Sequence, residues 1–517
     1  MTDIVGNETL RSLWDGLATA HGNETFLIFQ GRQGSVCEFT YKQFNDEINK
    51  TANLFLERGI QRDEKVAVQL HTSPEFMMCL FGLAKIGAVM VPMNEQYLQE
   101  ECEYVLDKCE ATTAIIEPEF LELYQSIATR EGFLPKGILL ARGKSGRTGI
   151  EDFGALKQKQ PSLLRECRPL CSGDVVEIIF TSGTTSRPKG VVLTHCNMLY
   201  TGVYGDWEVS LGAKDRLLTT MPACHSNFQL AAMTPVLCAG ATLIVIEKYS
   251  AKRFWQQIRK YRATVTQCVA MMVRTMLMQP EDPEEKNHCL REVLYFMPLA
   301  EKEKRAFETR FGTQIMNTYG STESLVWVLT DPPTGARKWP SVGRVGLSCE
   351  VKIVDDAGKE VEPGVIGEIV IHGVVGRSIM KEYYRDPEET ARTITPEGWM
   401  HTGDKGYVDA QGWFYFVDRK VNMIKRSGEN ISTTELENVL TTHPEIVEAA
   451  VIGVADPVRD QAVKAFILPV CGAHITVDEV LAYCEEHMAA FKVPSFVEIV
   501  DSFPHTCSMK IEKKLLK

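Results

Sequence analysis

A run of small, hydroxylated and basic residues in the first half of the chain has the composition of a phosphate-binding loop. It spans residues 181–190 and directly follows an apolar stretch, 175–180, that is typical of a buried strand. Its glycines let backbone amides approach a polyphosphate, its hydroxyl groups donate hydrogen bonds, and Lys189 adds a positive charge. The order differs from a Walker loop, because Lys189 lies between Pro188 and Gly190. A polar surface loop is the alternative interpretation, but the ordered ten-residue pattern favours an anion site.

Helices and strands that alternate upstream of this loop would position it. Thr40 begins a capping box that opens one helix, and Ser73 followed by Pro74 opens another. Apolar stretches typical of short strands follow at 66–70 and 88–91. This alternation predicts crossover units and a mainly parallel sheet, which binds ligands beyond the carboxyl ends of its strands.

The second half of the chain changes character. Short strands separated by Asp-Ala-Gly and Pro-Gly turns are predicted at 351–354, 367–371 and 413–417. A further capping box begins at Ser432, its helix is expected to end at His443, and a strand follows at 447–454. We therefore predict an α/β fold with a large N-terminal domain, residues 1–420, of sheets flanked by helices plus a β-rich subdomain. A small mobile α+β domain, residues 421–517, follows it.

Length, charge and cysteine content exclude several classes of protein. The chain has 517 residues, 44% of them hydrophobic, and a net charge of -12, which argues against a nonspecific grip on nucleic acid or on an anionic membrane. The 15 cysteines include no C-x-x-C pair, and the acidic start lacks the features of a secretory signal, so we expect a cytoplasmic protein. Residues 226–246 are uncharged but interrupted by polar residues, proline and glycine, and are interpreted as helix, turn and buried strand rather than as a membrane span.

The chain resembles the acyl-adenylate-forming (AMP-binding) enzymes, in their acyl-CoA synthetase branch. The motifs that carry the resemblance occur in the family's order along nearly the whole sequence: 181–190, 319–323, 401–404, 418–419 and the region of Lys510. The resemblance implies a two-step reaction that uses ATP, Mg²⁺ and coenzyme A. A carboxylate first becomes a mixed anhydride with AMP, which supplies a good leaving group, and a thiol then accepts the acyl group.

The resemblance also implies the site residues. The catalytic residues would be Lys510, which bridges the carboxylate and the α-phosphate, Glu323, which holds the metal ion, and Thr184 of the phosphate loop. The residues implied to bind ATP are Thr181, Ser182, Gly183, Thr184, Thr185, Lys189, Tyr319, Thr322, Asp404 and Arg419. The residues implied to line the CoA tunnel are Lys425, Ser427, Gly428 and Glu429, and His225 is placed in the acyl pocket.

Three departures from the family pattern stand out. Met509 replaces the glycine that usually precedes the lysine, so this loop is less free to adopt a positive φ. Val421 occupies the hinge, where relatives carry a charged residue, and residues 296–299 replace a glycine-rich adenine loop. A satisfied core histidine is an alternative role for His225, and a solvated basic tail is one for Lys510.

The expected substrate is a small betaine-type carboxylic acid. The stretches 247–251, 261–266 and 339–346 resemble ligases for acids that carry a trimethylammonium group, such as carnitine, crotonobetaine or γ-butyrobetaine. Aromatic faces attract such a cation, and the tryptophan candidates are Trp207, Trp255 and Trp327, for each of which core packing is the alternative. Free CoA is the expected acceptor, because no carrier domain follows within this sequence. A ligase for a medium-chain or aromatic acid, and a catalytically silent nucleotide-binding protein, remain as rival hypotheses, and the sequence leaves the oligomeric state open.

Overall fold

A computed structural model describes residues 3–128, 133–144, 150–181, 188–297, 299–346, 349–420, 422–426, 429–456, 460–506 and 509–516. In chain order its strands are β1 Thr25–Gln30, β2 Val36–Thr40, β3 Lys65–Gln69, β4 Val89–Pro92, β5 Thr113–Ile116, β6 Ile138–Leu140, β7 Ile150–Asp152, β8 Val175–Thr181, β9 Lys189–Thr194, β10 Arg216–Thr219, β11 Thr242–Ile246, β12 Val265–Cys268, β13 Glu292–Phe296, β14 Ile315–Tyr319, β15 Leu329–Thr330, β16 Arg344–Val345, β17 Glu350–Val354, β18 Gly367–His372, β19 Glu382–Tyr383, β20 Trp399–Val408, β21 Phe414–Arg419, β22 Ile424–Arg426, β23 Glu429–Ile431, β24 Ile446–Asp456, β25 Asp460–Pro469 and β26 Phe496–Ile499.

The α-helices are α1 Leu10–Ala20, α2 Tyr41–Glu57, α3 Pro74–Ile86, α4 Gln99–Cys109, α5 Leu121–Ala128, α6 Phe153–Gln158, α7 His195–Val209, α8 Ser226–Phe228, α9 Thr234–Ala239, α10 Ala251–Tyr261, α11 Ala270–Leu277, α12 Glu301–Phe311, α13 Pro387–Thr393, α14 Thr433–Leu440 and α15 Val477–His487. A π-helical segment, Gln229–Met233, joins α8 to α9, and 3₁₀ turns lie at Pro118–Phe120 and Lys513–Leu515.

Two large sheets form the N-terminal part of the molecule. One has eight strands in the order β19-β9-β8-β4-β3-β5-β6-β7, and the other has nine in the order β16-β15-β14-β13-β12-β10-β11-β1-β2. Strands β3 to β7 pair in parallel, as do β10 to β14, whereas β8 and β9 form an antiparallel hairpin around the phosphate loop. One apolar cluster contains residues of both sheets and of the helices, such as Val68, Leu218 and Phe81. The predicted α/β class is confirmed.

The remaining strands form two smaller sheets. Strands β17, β18, β20 and β21 make an antiparallel sheet, which confirms the predicted β-rich subdomain. Strands β22 to β26 make the C-terminal sheet, and with α14 and α15 they enclose an apolar cluster that includes Leu436, Val451 and Val480. The boundary at residues 420 and 421 stays a prediction.

Local capping explains where the predicted helices begin. The Thr40 hydroxyl accepts a hydrogen bond from the Gln43 amide, and the Gln43 side chain accepts one from Thr40 in return. Ser73 and Pro74 begin α3 as predicted. In contrast, helix α14 ends at Leu440, earlier than predicted.

The N-terminus of α14 is bound to the end of the preceding sheet. Asp418 of β21 is buried, and its Oδ2 accepts hydrogen bonds from the Thr433 hydroxyl at 2.8 Å, from the Thr434 amide at 3.1 Å and from the Ser432 hydroxyl at 3.3 Å. A carboxylate at this position accepts a hydrogen bond from a free amide of the first helical turn, and its negative charge interacts favourably with the helix dipole.

Lys85 and Glu177 are among the buried ionisable side chains of the described residues. Lys85 of α3 is 1% exposed, and its ammonium donates hydrogen bonds to three oxygens, on Asp15 at 2.6 Å, Asn45 at 2.7 Å and Asn49 at 2.8 Å. Glu177 of β8 is fully buried, and burial raises its pKa to about 8, an effect that the neighbouring Gln229 side chain opposes.

Residues 226–246 fold as the sequence predicts. Helical turns are followed by Gly240 in the left-handed conformation and by the buried strand β11. No helix within the described ranges has the length and apolar character needed to cross a membrane.

Candidate active site

Strands from three sheets deliver the predicted ATP-binding residues to one cleft. Thr181 ends β8 and Lys189 begins β9, so both flank the phosphate loop. Tyr319 ends β14, and Asp404 and Arg419 are partners in the register of β20 and β21. Ser182, Gly183, Thr184 and Thr185 lie outside the described residues.

Asp404 is the centre of the hydrogen-bonded part of this cleft. It is 6% exposed, and its Oδ2 accepts a 2.7 Å hydrogen bond from the Tyr319 hydroxyl. Burial raises the pKa of Asp404, while the charge of Arg419, whose Nε lies 3.3 Å from Oδ1, opposes that rise. Oδ1 is buried and accepts no hydrogen bond from any described residue, so it has an acceptor available for a hydroxyl group. This arrangement fits a ribose.

The loop after β14 connects the nucleotide motif to the segment around His225. The Thr322 hydroxyl donates to Ser226 Oγ at 3.0 Å, and Glu323 Oε1 accepts from the Tyr383 hydroxyl at 2.9 Å. Glu323 remains partly exposed. A carboxylate oxygen is the kind of ligand that Mg²⁺ takes, so Glu323 would hold the metal ion beside the phosphate groups.

The backbone of the same loop is strained. Leu325 and Val326 have φ of 62° and 73°, and the Trp327 amide donates to the Leu325 carbonyl at 2.9 Å, which makes Val326 the centre of a γ-turn. A β-branched residue in this region costs about 1 kcal/mol or more. Gly320 is required by the close approach that results, because a Cβ there would lie 2.0 Å from the Val326 carbonyl oxygen.

Lys189 is paired within the protein. Its ammonium forms an ion pair with Glu389 of α13 and lies 5.1 Å from the centre of the Tyr383 ring. Because Tyr383 also donates to Glu323, the lysine of the phosphate loop and the expected metal ligand share one neighbour.

Lys510 enters the cleft from the C-terminal part of the chain. Its side chain is open to solvent within the cleft, yet the surrounding protein removes much of its hydration, and this desolvation lowers its pKa to about 8. The positive charge of Arg419 lowers that pKa further, while the negative charges of Asp404 and Glu323 oppose the shift. The charges of Arg419, Asp404 and Glu323 therefore all act on Lys510.

Met509, immediately before this lysine, adopts φ of 61°. The left-handed region costs an ordinary L-residue about 1 kcal/mol. The backbone conformation that a glycine would supply is thus present here, and a methionine adopts it.

His225 lies at the start of α8, close to Lys510. Its Nδ1 accepts a hydrogen bond from the Asn227 amide at 3.3 Å. Burial and the charge of Lys510 lower the pKa of His225 to about 4, so the ring is neutral at physiological pH. The neighbouring Ala223 amide donates to the Thr72 hydroxyl at 2.9 Å, which fixes this segment to the loop that precedes α3.

The predicted CoA residues are described only in part. Lys425 is exposed on β22, and its amide donates to Gln461 Oε1 at 2.8 Å. Ser427 and Gly428 lie outside the described residues, as does the hinge residue Val421. The backbone of Glu429 belongs to β23, and its side chain is not described.

The three candidate tryptophans occupy different environments. Trp207 is 57% exposed on α7, and Trp255 is stacked on Phe311 at 4.3 Å in the packing of α10 against α12. Trp327 is 2% exposed, and its Nε1 donates to the Leu230 carbonyl at 3.1 Å, in the π-helical segment that follows His225. Sequence reasoning did not identify Tyr383, whose role depends on contacts between distant segments.

Comparison with known proteins agrees with this geometry. The family model for AMP-binding enzymes matches residues 15–384, and that for the AMP-binding enzyme C-terminal domain matches residues 435–510. The chain therefore belongs to the AMP-binding enzyme family, which confirms the resemblance seen in its motifs.

Individual relatives match the chain over its full length. The crotonobetaine/carnitine–CoA ligase of Citrobacter koseri is 48% identical over 516 residues, and that of Salmonella typhimurium is 46% identical over 517 residues, with all of both chains covered in each case. Among solved structures, the anthranilate CoA ligase AuaEII in complex with anthranoyl-AMP superposes with a TM-score of 0.89 at 26% identity, over 99% of this chain and 98% of that one.

Proposed function

We propose that this protein is an ATP-dependent acid–thiol ligase that converts carnitine, crotonobetaine or γ-butyrobetaine into its CoA thioester through an acyl-adenylate. The observation that carries the proposal is that Lys510, from the C-terminal part of the chain, lies close enough to Asp404 and Glu323 for their negative charges to raise its pKa. The full-length similarity to crotonobetaine/carnitine–CoA ligases supports the substrate class.

In the first half-reaction a carboxylate oxygen attacks the α-phosphorus of ATP. The new oxygen–phosphorus bond forms as the bond to the bridging oxygen breaks, and pyrophosphate leaves with the electron pair. The Lys510 ammonium would contact both the entering carboxylate and the α-phosphate, and its charge would offset the negative charge of the transition state. Glu323 would hold Mg²⁺, which neutralises phosphate charge when bound.

Other residues of the cleft hold the nucleotide in position. Asp404 would accept a hydrogen bond from the ribose hydroxyls through Oδ1, which also faces Arg419, and Tyr319 would pack on the adenine while its hydroxyl orients Asp404. Thr322 would donate to the α-phosphate, and the loop 181–190 would bind the other phosphates. A fixed orientation of this kind supplies much of the rate enhancement in reactions between two bound substrates.

In the second half-reaction the CoA sulfur attacks the acyl carbon. A carbon–sulfur bond forms, AMP leaves, and the thiol proton is released to solvent. The segment that contains Lys425, Ser427, Gly428 and Glu429 would line the path of the CoA arm after the C-terminal domain, residues 421–517, rotates about its hinge. His225 is neutral and would separate the acyl group from that path.

The trimethylammonium group requires a place in the acyl pocket. Trp327 is the tryptophan we favour for this pocket, because it contacts the helical segment that follows His225. We also propose a cytoplasmic location, where ATP and CoA are available. The cysteines within the described residues form no disulfide bonds, which fits a reducing compartment.

A panel of carboxylic acids tests the proposal. Exchange of labelled pyrophosphate into ATP should depend on carnitine, crotonobetaine or γ-butyrobetaine. The isostere 5,5-dimethylhexanoate, in which carbon replaces the cationic nitrogen of γ-butyrobetaine, should be a much poorer substrate. The Lys510→Ala variant is the matched control and should lose this exchange while it still forms thioester from supplied acyl-adenylate.

Other outcomes of the panel would refute the proposal. Exchange only with medium-chain or aromatic acids would assign the protein to a different ligase activity. Nucleotide binding without exchange for any acid would favour a silent nucleotide-binding protein.

A further inference from the structure

Met509 lies between the N-terminal part and the C-terminal part of the molecule. Its side chain is partly buried and packs against the large apolar cluster of the N-terminal part, whose members lie between residues 5 and 414. Two residues later, Ile511 packs against a C-terminal cluster formed around Phe466 and Phe503. Lys510 therefore lies between Met509, which packs on the N-terminal part, and Ile511, which packs on the C-terminal part.

The turn that carries Met509 has a defined hydrogen-bonding pattern. The Met509 amide donates to the Thr506 carbonyl at 2.8 Å, the Thr506 amide donates to the Lys510 carbonyl at 2.8 Å, and the Lys510 amide donates to the Thr506 hydroxyl at 3.1 Å. His505 and Ile511 form an antiparallel bridge at its base. These contacts fix the base of the turn within the C-terminal part, and the Met509 side chain adds an apolar contact to the N-terminal part.

We propose that Met509 is a positioning residue, whose side chain anchors the lysine turn to the N-terminal core and so places Lys510 for adenylation. This inference rests on the proposed function. The anchor acts only in the arrangement in which Lys510 occupies the cleft, because rotation of the C-terminal domain would withdraw Met509 from the core. It therefore favours the first half-reaction over the second.

Two opposing effects determine what substitutions do. The left-handed φ of Met509 destabilises the turn, and the packing of its thioether stabilises it. Leucine keeps both effects, alanine keeps the strain and loses the packing, and glycine loses both. If packing outweighs strain, as we propose, the rate of adenylation follows the order Met509, Met509→Leu, Met509→Gly, Met509→Ala.

The experiment measures both half-reactions in the full-length protein. We expect Met509→Leu to resemble the wild type, Met509→Gly to adenylate about threefold more slowly, and Met509→Ala about tenfold more slowly, which corresponds to about 1.4 kcal/mol. Thioester formation from supplied acyl-adenylate should not fall in any of them. Amide hydrogen exchange should be faster in segment 505–511 of Met509→Ala and unchanged in β24 and β25.

Each alternative result refutes a distinct idea. A glycine variant that adenylates faster than wild type, or an alanine variant equal to wild type, would overturn the anchor. An equal loss in both half-reactions with a lower denaturation midpoint would show a merely structural role and also overturn it. A wild-type protein without exchange for any acid would refute the proposed function, while faster hydrogen exchange in Met509→Ala would still support the anchor.

Discussion

Adenylation by this protein should fall as the pH rises from 7 to 9, because Lys510 loses its proton. An ordinary lysine, with a pKa of about 10.4, is almost fully charged throughout this range. Desolvation and Arg419 lower the pKa of Lys510 to about 8, so only about a tenth of the free enzyme carries the ammonium at pH 9. We therefore expect kcat/KM for adenylation to fall about tenfold between pH 7 and pH 9.

The assay is exchange of labelled pyrophosphate into ATP at subsaturating acid, from pH 6.5 to 9.5, so that the profile reports the free enzyme. Two neighbours in the cleft do not titrate in this range. His225 has a pKa of about 4, and burial raises the pKa of Tyr319 well above its ordinary value. Arginine stays charged at every pH of the series, so Lys510→Arg should be slower but should lack the alkaline fall.

Two results would refute this reasoning. One is a wild-type rate that remains constant to pH 9.5, which would show that the lysine keeps an ordinary pKa. The other is an alkaline fall that persists in Lys510→Arg, which would assign the titration to another group. Thioester formation from supplied acyl-adenylate should show no fall over the same range.

Three substitutions test other parts of the structure. Gly320→Ala should reduce adenylation more than 100-fold and lower the melting temperature, because its Cβ would collide with the Val326 carbonyl. The control Gly16→Ala, at an open helical position, should stabilise the protein by up to about 1 kcal/mol. Equal changes in the two variants would contradict the proposed collision. Lys85→Met should destabilise the protein by about 3 kcal/mol in denaturant titrations, because its oxygen acceptors lose their donor, and a loss under 1 kcal/mol would show that they find other partners. The pKa of Glu177 is about 8 in the folded protein, above that of an unfolded glutamate, so the stabilising effect of its protonation is complete below pH 4.5 and is lost as the pH rises to 8. The free energy of unfolding should fall by about 1.4 kcal/mol per pH unit over this range. Glu177→Gln should remove this pH dependence, and parallel stability profiles for the two proteins would refute the prediction.

Local signals in the sequence were sufficient for much of the fold. The caps at Thr40 and Ser73 and the apolar stretch before the phosphate loop gave helices and strands close to those in the structure, because each depends on a few adjacent residues. The α/β class and the β-rich subdomain followed from the order of such elements.

The site could be predicted as a set of residues but not as a geometry. The hydrogen bond from Tyr319 to Asp404 and the ion pair of Lys189 with Glu389 join segments that are far apart in sequence. The γ-turn at Val326 contradicts the intrinsic preference of valine, so only tertiary contacts impose it. The sequence predicted that Met509 restricts its loop, but not that the residue adopts the positive φ.

The capping of α14 by Asp418 has a consequence for how the polypeptide can be divided. A cut between residues 420 and 421 would leave Asp418 in the N-terminal piece and α14 in the C-terminal piece. The first turn of α14 would then lose these hydrogen bonds and fray. An excised C-terminal piece should therefore begin ahead of Phe414, so that the carboxylate that accepts these hydrogen bonds stays in the same piece as the helix.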